Sequence, residues 1–220
     1  MGTAFSSFRQ LRVAEARMRR IFAISPENEF ADEINVVPKL VESGLEAYHL
    51  RRPQESSRDV ADFLGRMPSP AREKVVLHQH HELAERFEIG GLHWKDNGDS
   101  ADAYSDPMEN RHRVRTRSRS LHSLKNWAKA IDGWDYVFLS PVFPSISKAG
   151  YEVEWNLPEL THALDQATEK GVTVAALGGI CKERIEDAFQ LGFSGVVLHG
   201  TLWEDQEIEP IVRKWRSIFS

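Results

Sequence analysis

Eight short β-prone runs recur along the chain, and all but the fourth lead into stretches with apolar residues at three- and four-residue spacing. The runs are IFAIS (21–25), AYHLR (47–51), VVLHQH (75–80), GLHW (91–94), RVRTR (113–117), YVFLS (136–140), VTVAALG (172–178) and GVVLHG (195–200). Strands that alternate with helices pair in parallel through right-handed crossovers, because a right-twisted strand feeding a helix packs back onto its sheet only in that sense. Eight such units in 220 residues predict an α/β fold, a single (βα)8 TIM barrel over 20–220, at the compact end of its size range. A doubly wound open sheet is the alternative, and it ordinarily uses fewer strands at this length. With 41% hydrophobic residues the chain can bury one sizeable core. The fourth run is the exception and leads into the polar stretch KDNGDSADAYSDPMENRH. Pro38 predicts a kink or a break in the helix that follows the first strand.

Composition narrows the function classes. A net charge of −5 and a pI near 6.0 give no electrostatic footprint for nucleic acid. Cys181 is the one cysteine, which excludes an internal disulfide and a cysteine-based zinc cluster. No apolar stretch approaches the roughly 18 residues of a membrane span, so a soluble, cytoplasmic protein is expected. Residues 1–19 read as a short basic extension, with Arg9, Arg12, Arg17 and Arg19 against Glu15. Such a start can mimic an organelle transit peptide, but a basic amphipathic helix or loose tail is the favoured reading. A small-molecule partner is expected, with neither nucleic acid nor membrane, and a homo-oligomer is left open.

A TIM barrel places its active site at the C-terminal ends of its strands, which turns the sequence into a short set of positions. These are His49, Arg51 and Arg52; His78, Gln79 and His80; His93 to Asp96; Ser118, Ser120 and His122; Ser145, Ser147 and Lys148; Gly178 and Gly179; and His199, Gly200 and Thr201. The set abounds in cations and hydroxyls, as an anionic substrate requires. In VAALGGICKERIEDA, two glycines at a strand end let backbone approach a ligand, and the next helix offers free N–H groups to a phosphate; a plain tight turn is the alternative. His199 and Gly200 extend that phosphate-binding assignment. In SPVFPSISKAGY, Ser145 and Ser147 alternate on a proline-stiffened loop that ends in Lys148, a point charge suited to phosphate or carboxylate.

His122, in RSLHS, is placed at the start of a helix with Ser120 or Ser123 as a cap, and imidazole both gives and takes a proton near neutrality. His78 and His80 form an HxH pair on one strand face, which can be half of a metal site. The eighth strand ends without the carboxylate that such sites need, so a polar, substrate-contacting wall is preferred and no metal ligand is assigned.

Taken in order, AYHLRRP, VVLHQHHELAERFEIGGLHW, SRSLHSL, DYVFLSPVFPSISKAGY, ALGGI and GFSGVVLHGTLW resemble the thiamine phosphate synthase and TenI superfamily, from Ile21 to about Trp203. The resemblance implies thiamine biosynthesis by one of two activities. The synthase joins a pyrimidine pyrophosphate to a thiazole phosphate with Mg²⁺, and the TenI branch aromatises a carboxythiazole phosphate by moving a proton without metal. It also implies roles for residues. His122 would be the acid–base, Lys148 and Arg51 would stabilise the anion, His49, His78, Ser120, Ser145 and Ser147 would contact the thiazole, and Gly178, Gly179, His199 and Gly200 would hold its phosphate. Where the synthase has an Asn-Asp pair after its third strand, this chain has His78-Gln79. The synthase's second-strand lysine is Pro53 here, and its second metal carboxylate falls at Gly98, with Asp96 and Asp99 nearby. Imidazole is a poor Mg²⁺ ligand, so these departures imply the tautomerase, with no cofactor; a Mg²⁺-dependent synthase or a non-catalytic thiazole-phosphate binder is the alternative.

Overall fold

The computed structural model of the chain describes residues 19–96, 114–144, 155–205 and 207–218. The basic extension, apart from Arg19, and Ser145, Ser147, Lys148, Gly98 and Asp99 lie outside the described residues. The strands are β1 (Arg20–Ile24), β2 (Ala47–Leu50), β3 (Val75–Leu77), β4 (Gly91–Trp94), β5 (Thr116–Leu121), β6 (Tyr136–Leu139), β7 (Thr173–Ala176) and β8 (Gly195–Leu198). They close in sequence order into a barrel, with neighbours parallel in every pairing given, as the alternation of strands and helices predicts. The helices among the described residues are α1 (Glu33–Glu42), α2 (Ser57–Arg66), α3 (Ser69–Arg72), α4 (Ala84–Phe87), α5 (Trp127–Ala130), α6 (Leu157–Glu169), α7 (Lys182–Gln190) and α8 (Ile208–Arg216). None is long and apolar enough to cross a membrane.

Contacts gather into two compact units, one built on β1–β4 with α8 and the other on β5–β8. In the first, Phe22, Tyr48 and Leu50 are buried, while α1 and α8 pack together, with Val36, Val37, Leu40, Ile211, Val212 and Trp215 buried on them. Helix α1 continues through Pro38, so of the expected kink or break the break does not occur. Buried Val36 and Val37 before the proline and Leu40 after it anchor both sides, so tertiary packing outweighs the missing backbone bond. Helix α2 starts on a capping box in which Ser56 Oγ accepts from the Asp59 N–H at 3.3 Å and Asp59 accepts from the Ser56 N–H at 3.2 Å.

In the second unit, α6 is capped by Asn156, whose side chain accepts from the Glu159 N–H at 3.1 Å. It buries Leu160, Ala163, Leu164 and Ala167, one stripe at helical spacing. Trp127 of α5 donates its indole N–H to the Ala163 carbonyl at 2.7 Å. Strand β5 departs from expectation: it spans Thr116–Leu121 rather than 113–117, so Ser118 and Ser120 lie within it. Two buried arginines account for the shift. Arg117 lies 3.6 Å from Asp135 and donates to the Gly133 carbonyl at 3.0 Å, and Arg119 faces Asp96 at 3.7 Å and the Trp134 ring.

Candidate functional site

In the β1–β4 unit the strand ends gather imidazoles. His49 on β2 and His93 on β4 are buried, and His78, the first residue past β3, is half-buried. His49 Nδ1 lies 3.0 Å from His78 Nε2, and the His78 and His93 rings stack with centroids 4.1 Å apart. Burial, reinforced by the neighbouring His78, pushes the His49 imidazole well below its usual pKa and keeps it neutral. The expected sharing of one strand face by His78 and His80 does not occur. The chain leaves β3 at Leu77, His80 takes a left-handed φ of 57°, and its Nε2 lies 2.9 Å from the Glu55 carbonyl. The third member of the histidine group is therefore His93, which the HxH spacing does not reveal.

Arg51 follows β2 with its side chain exposed, while its backbone is clipped on both sides: its N–H donates to Ser25 Oγ at 2.9 Å, and that hydroxyl donates to its carbonyl at 3.1 Å. The next residue, Arg52, holds a buried network. Its guanidinium donates to Glu33 and to Glu55, and Glu33 also accepts from the Tyr48 hydroxyl. Arg52 N–H donates to Gln79 Oε1 at 2.9 Å, which ties the end of β2 to the segment after β3. His199 stands just past β8, where burial lowers its pKa while Glu27 pulls the other way. Gly200 opens a 3₁₀ turn, and a Cβ placed there would meet nothing within 4 Å.

In the β5–β8 unit the geometry centres on His122. It sits in the loop directly after β5 and not at the start of a helix, since α5 begins only at Trp127. Neither Ser120 nor Ser123 caps that helix, whose first flanking residue is Asn126. His122 is held by other groups instead. Its backbone N–H donates to Asp96 at 3.0 Å, and its Nδ1 lies 2.9 Å from the Ser140 carbonyl and 3.2 Å from the Ser140 hydroxyl. A carbonyl can only accept, so Nδ1 carries the proton and Nε2 is left as the basic nitrogen. Ser140 and the positioning role of Asp96 were missed from sequence, because each depends on loops brought together across the barrel wall.

Gly178 and Gly179 make the turn after β7 with φ of 95° and 65°. A Cβ on Gly178 would stand 3.0 Å from Pro141, and one on Gly179 would collide with the Pro144 carbonyl and lie 2.8 Å from the Phe143 carbonyl. The pair thus seats the loop after β6 on the turn that leads to α7. Arg184 of α7 fixes that seat by donating to the Pro144 and Gly179 carbonyls, both at 3.0 Å, with its guanidinium over the Phe143 ring. Gly179→Ala is expected to cost about 1–3 kcal/mol in a thermal melt, since a left-handed backbone and a blocked Cβ add. Gly200→Ala should stay within about 0.5 kcal/mol of wild type in the same measurement.

Among the described residues, the donor set does not suit Mg²⁺. His78 and Gln79 offer nitrogen and amide where a hard cation needs carboxylate, and Asp96 is engaged by the His122 N–H and faces Arg119.

A family model described as thiamine monophosphate synthase matches residues 21–202. The thiamine-phosphate synthase of Bacillus velezensis is 24% identical over 206 residues, which cover 88% of this chain and 87% of that protein. That of Anoxybacillus flavithermus is 25% identical over 134 residues, 60% of this chain and 59% of the other. The crystal structure of thiamine phosphate pyrophosphorylase from Bacteroides thetaiotaomicron superposes with a TM-score of 0.69 at 27% identity, covering 92% of this chain and 96% of that one. The barrel, the motif order and the family match agree: the chain belongs to the thiamine phosphate synthase/TenI superfamily.

Proposed function

We propose that the protein is a thiazole tautomerase that aromatises a carboxythiazole phosphate by moving one proton from a ring carbon to the exocyclic carbon. The observation that carries this reading is the setting of His122, with Nδ1 on the Ser140 carbonyl at 2.9 Å and its backbone on Asp96 at 3.0 Å. A base whose tautomer is fixed can take the proton at Nε2 and return it at a second carbon of the same ligand. Lys148 and Arg51 are assigned to the negative charge that develops between the two transfers, as the family pattern implies. Ser120, Ser145 and Ser147 are assigned to the ring, with His49 and His78. The phosphate is assigned to the Gly178–Gly179 turn at the start of α7, to Gly200 and to His199.

The unsuitable donor set for Mg²⁺ supports the tautomerase over the Mg²⁺-dependent coupling of a pyrimidine pyrophosphate. The second reading is that coupling reaction, favoured by the relatives named thiamine-phosphate synthases. A paired assay separates them. One reaction holds protein and the thiazole tautomer alone, and the other adds pyrimidine pyrophosphate and Mg²⁺. Aromatisation in the first with no coupling in the second is expected. Thiamine phosphate in the second would sink the tautomerase reading, and binding without turnover in either would leave a thiazole-phosphate binder. Gly200→Ala adds a check on the phosphate assignment: fold retained, KM raised on the order of tenfold, kcat little changed, as loss of uniform binding gives.

A further inference from the structure

We infer that His49, His78 and His93 form a tri-imidazole site for a zinc-class divalent cation, with a fourth coordination position open to water or an anionic oxygen. The inference goes beyond the tautomerase reading and does not depend on it, and where the ion is bound it takes the place of the ring contact assigned to His49 and His78. One ring nitrogen from each histidine lies within 4.8 Å of the other two, and the His49 Nδ1 to His78 Nε2 pair stands at 3.0 Å. Tetrahedral zinc with nitrogen at about 2.0–2.1 Å sets its donors about 3.4 Å apart, so the hydrogen-bonded His49–His78 pair at 3.0 Å opens slightly and the other pairs draw in by ring rotation.

Strand register explains the convergence. His49 pairs with Val76 and Val76 with Gly91, so His78 and His93 each stand two residues beyond partners level with His49 and continue the same alternation. The rings are arranged unequally. His49 stands across the other two at 85° and 83°, whereas His78 and His93 lie 19° from parallel. Imidazole lone pairs lie in the ring plane, so binding tilts the stacked pair out of parallel while His49 keeps its orientation. His93 is further steadied by His81, whose Nε2 lies 3.2 Å from the His93 carbonyl.

Chemistry and access fit a particular class of ion. Three imidazoles with no carboxylate in the set suit zinc, cobalt, nickel or copper and disfavour Mg²⁺, which demands oxygen. His49 and His93 are buried and His78 is half-buried, so the approach and the open position lie on the His78 side. Three neutral ligands leave the ion's charge uncompensated, which draws an anionic fourth ligand.

The test uses the full chain with any tag removed, stripped with EDTA and titrated with Co²⁺ in visible absorption, then with Zn²⁺ as competitor. The expected result is an intense tetrahedral Co²⁺ band that saturates at about one ion per chain, is displaced by Zn²⁺ and is unmoved by millimolar Mg²⁺. Outer-shell partners alone are worth about 10–100-fold in affinity, so His78→Ala should cost at least about 100-fold. His49→Gln and His93→Gln keep the side-chain volume and should show the same loss, with circular dichroism melts reporting whether each is folded. His162→Ala, on the exposed face of α6, should bind as wild type. A wild type without the band, or a folded His78→Ala that binds as tightly, overturns the proposal. No thiazole enters the assay, so its failure is separate from failure of the tautomerase reading.

Discussion

His122→Ala is expected to lower turnover of the carboxythiazole phosphate by about 10²–10⁴-fold, the range for loss of a positioned acid–base. KM should change little, because the imidazole acts on the transferring proton more than on the bound ground state. His122 is exposed but bonds the Ser140 carbonyl, so its stability cost should be about 0.5–1.5 kcal/mol, and a melt that stays cooperative would exclude misfolding as the cause. Asp96 provides an internal comparison, since it acts through His122. Asp96→Ala removes the acceptor of the His122 N–H and should cost up to about 100-fold in kcat through misplacement of the ring. Asp96→Asn keeps an oxygen there and should recover most of that loss. Wild-type turnover in a folded His122→Ala would remove this residue from the reaction.

The second large effect is on stability. Arg52→Met should destabilise the fold by about 3–5 kcal/mol, because it strands a carboxylate that is desolvated in the folded state. The Glu33 side chain is 1% exposed; Arg52 is its ion partner, and the Tyr48 hydroxyl donates a hydrogen bond to it. Burial pushes the Glu33 carboxyl up from its ordinary pKa, and Arg52 opposes that rise. Removing Arg52 therefore raises the folded-state pKa further. A carboxyl raised in the folded state contributes most at low pH and loses stability as pH rises through the window above its unfolded value. The variant should accordingly be closer to wild type at about pH 5 than at about pH 7.5 in urea denaturation. Glu33→Gln combined with Arg52→Met removes both charges and should recover much of the loss. An Arg52→Met variant with an unchanged urea midpoint at both pH values would show that the network contributes nothing.

Much of the barrel was legible because seven of the strands carry apolar runs, such as YVFL in β6 and GVVL in β8, which no solvated segment would keep. The register of β5 was not. TRSRSL reads as surface, and only Asp135, Asp96 and Trp134, far away in sequence, make burial of its arginines tolerable. The local geometry at the strand ends was legible unevenly. The glycine pair announced its backbone conformation, since only glycine takes two successive left-handed φ angles at little cost. The histidines were visible at the strand ends, but which of them group was not: His80 turns away at a left-handed φ that has no sequence marker, and His93 takes its place. The hold on His122 was hidden because a backbone carbonyl, that of Ser140, does the holding, and any residue type would offer one.

The loop after β6 has a practical consequence for altering this protein. Its near end is pinned at Pro144, whose carbonyl is gripped by Arg184. Its far end is pinned at Trp155, whose indole N–H donates to the Pro141 carbonyl at 3.0 Å. Pro144 and Trp155 are thus two fixed points, each held by a hydrogen bond. A replacement segment grafted between Pro144 and Trp155 would inherit its entry and exit from the scaffold. Such a graft would replace Ser145, Ser147 and Lys148 together while leaving the glycine turn and His122 in place, so the ring and anion contacts proposed for them could be re-selected as one cassette.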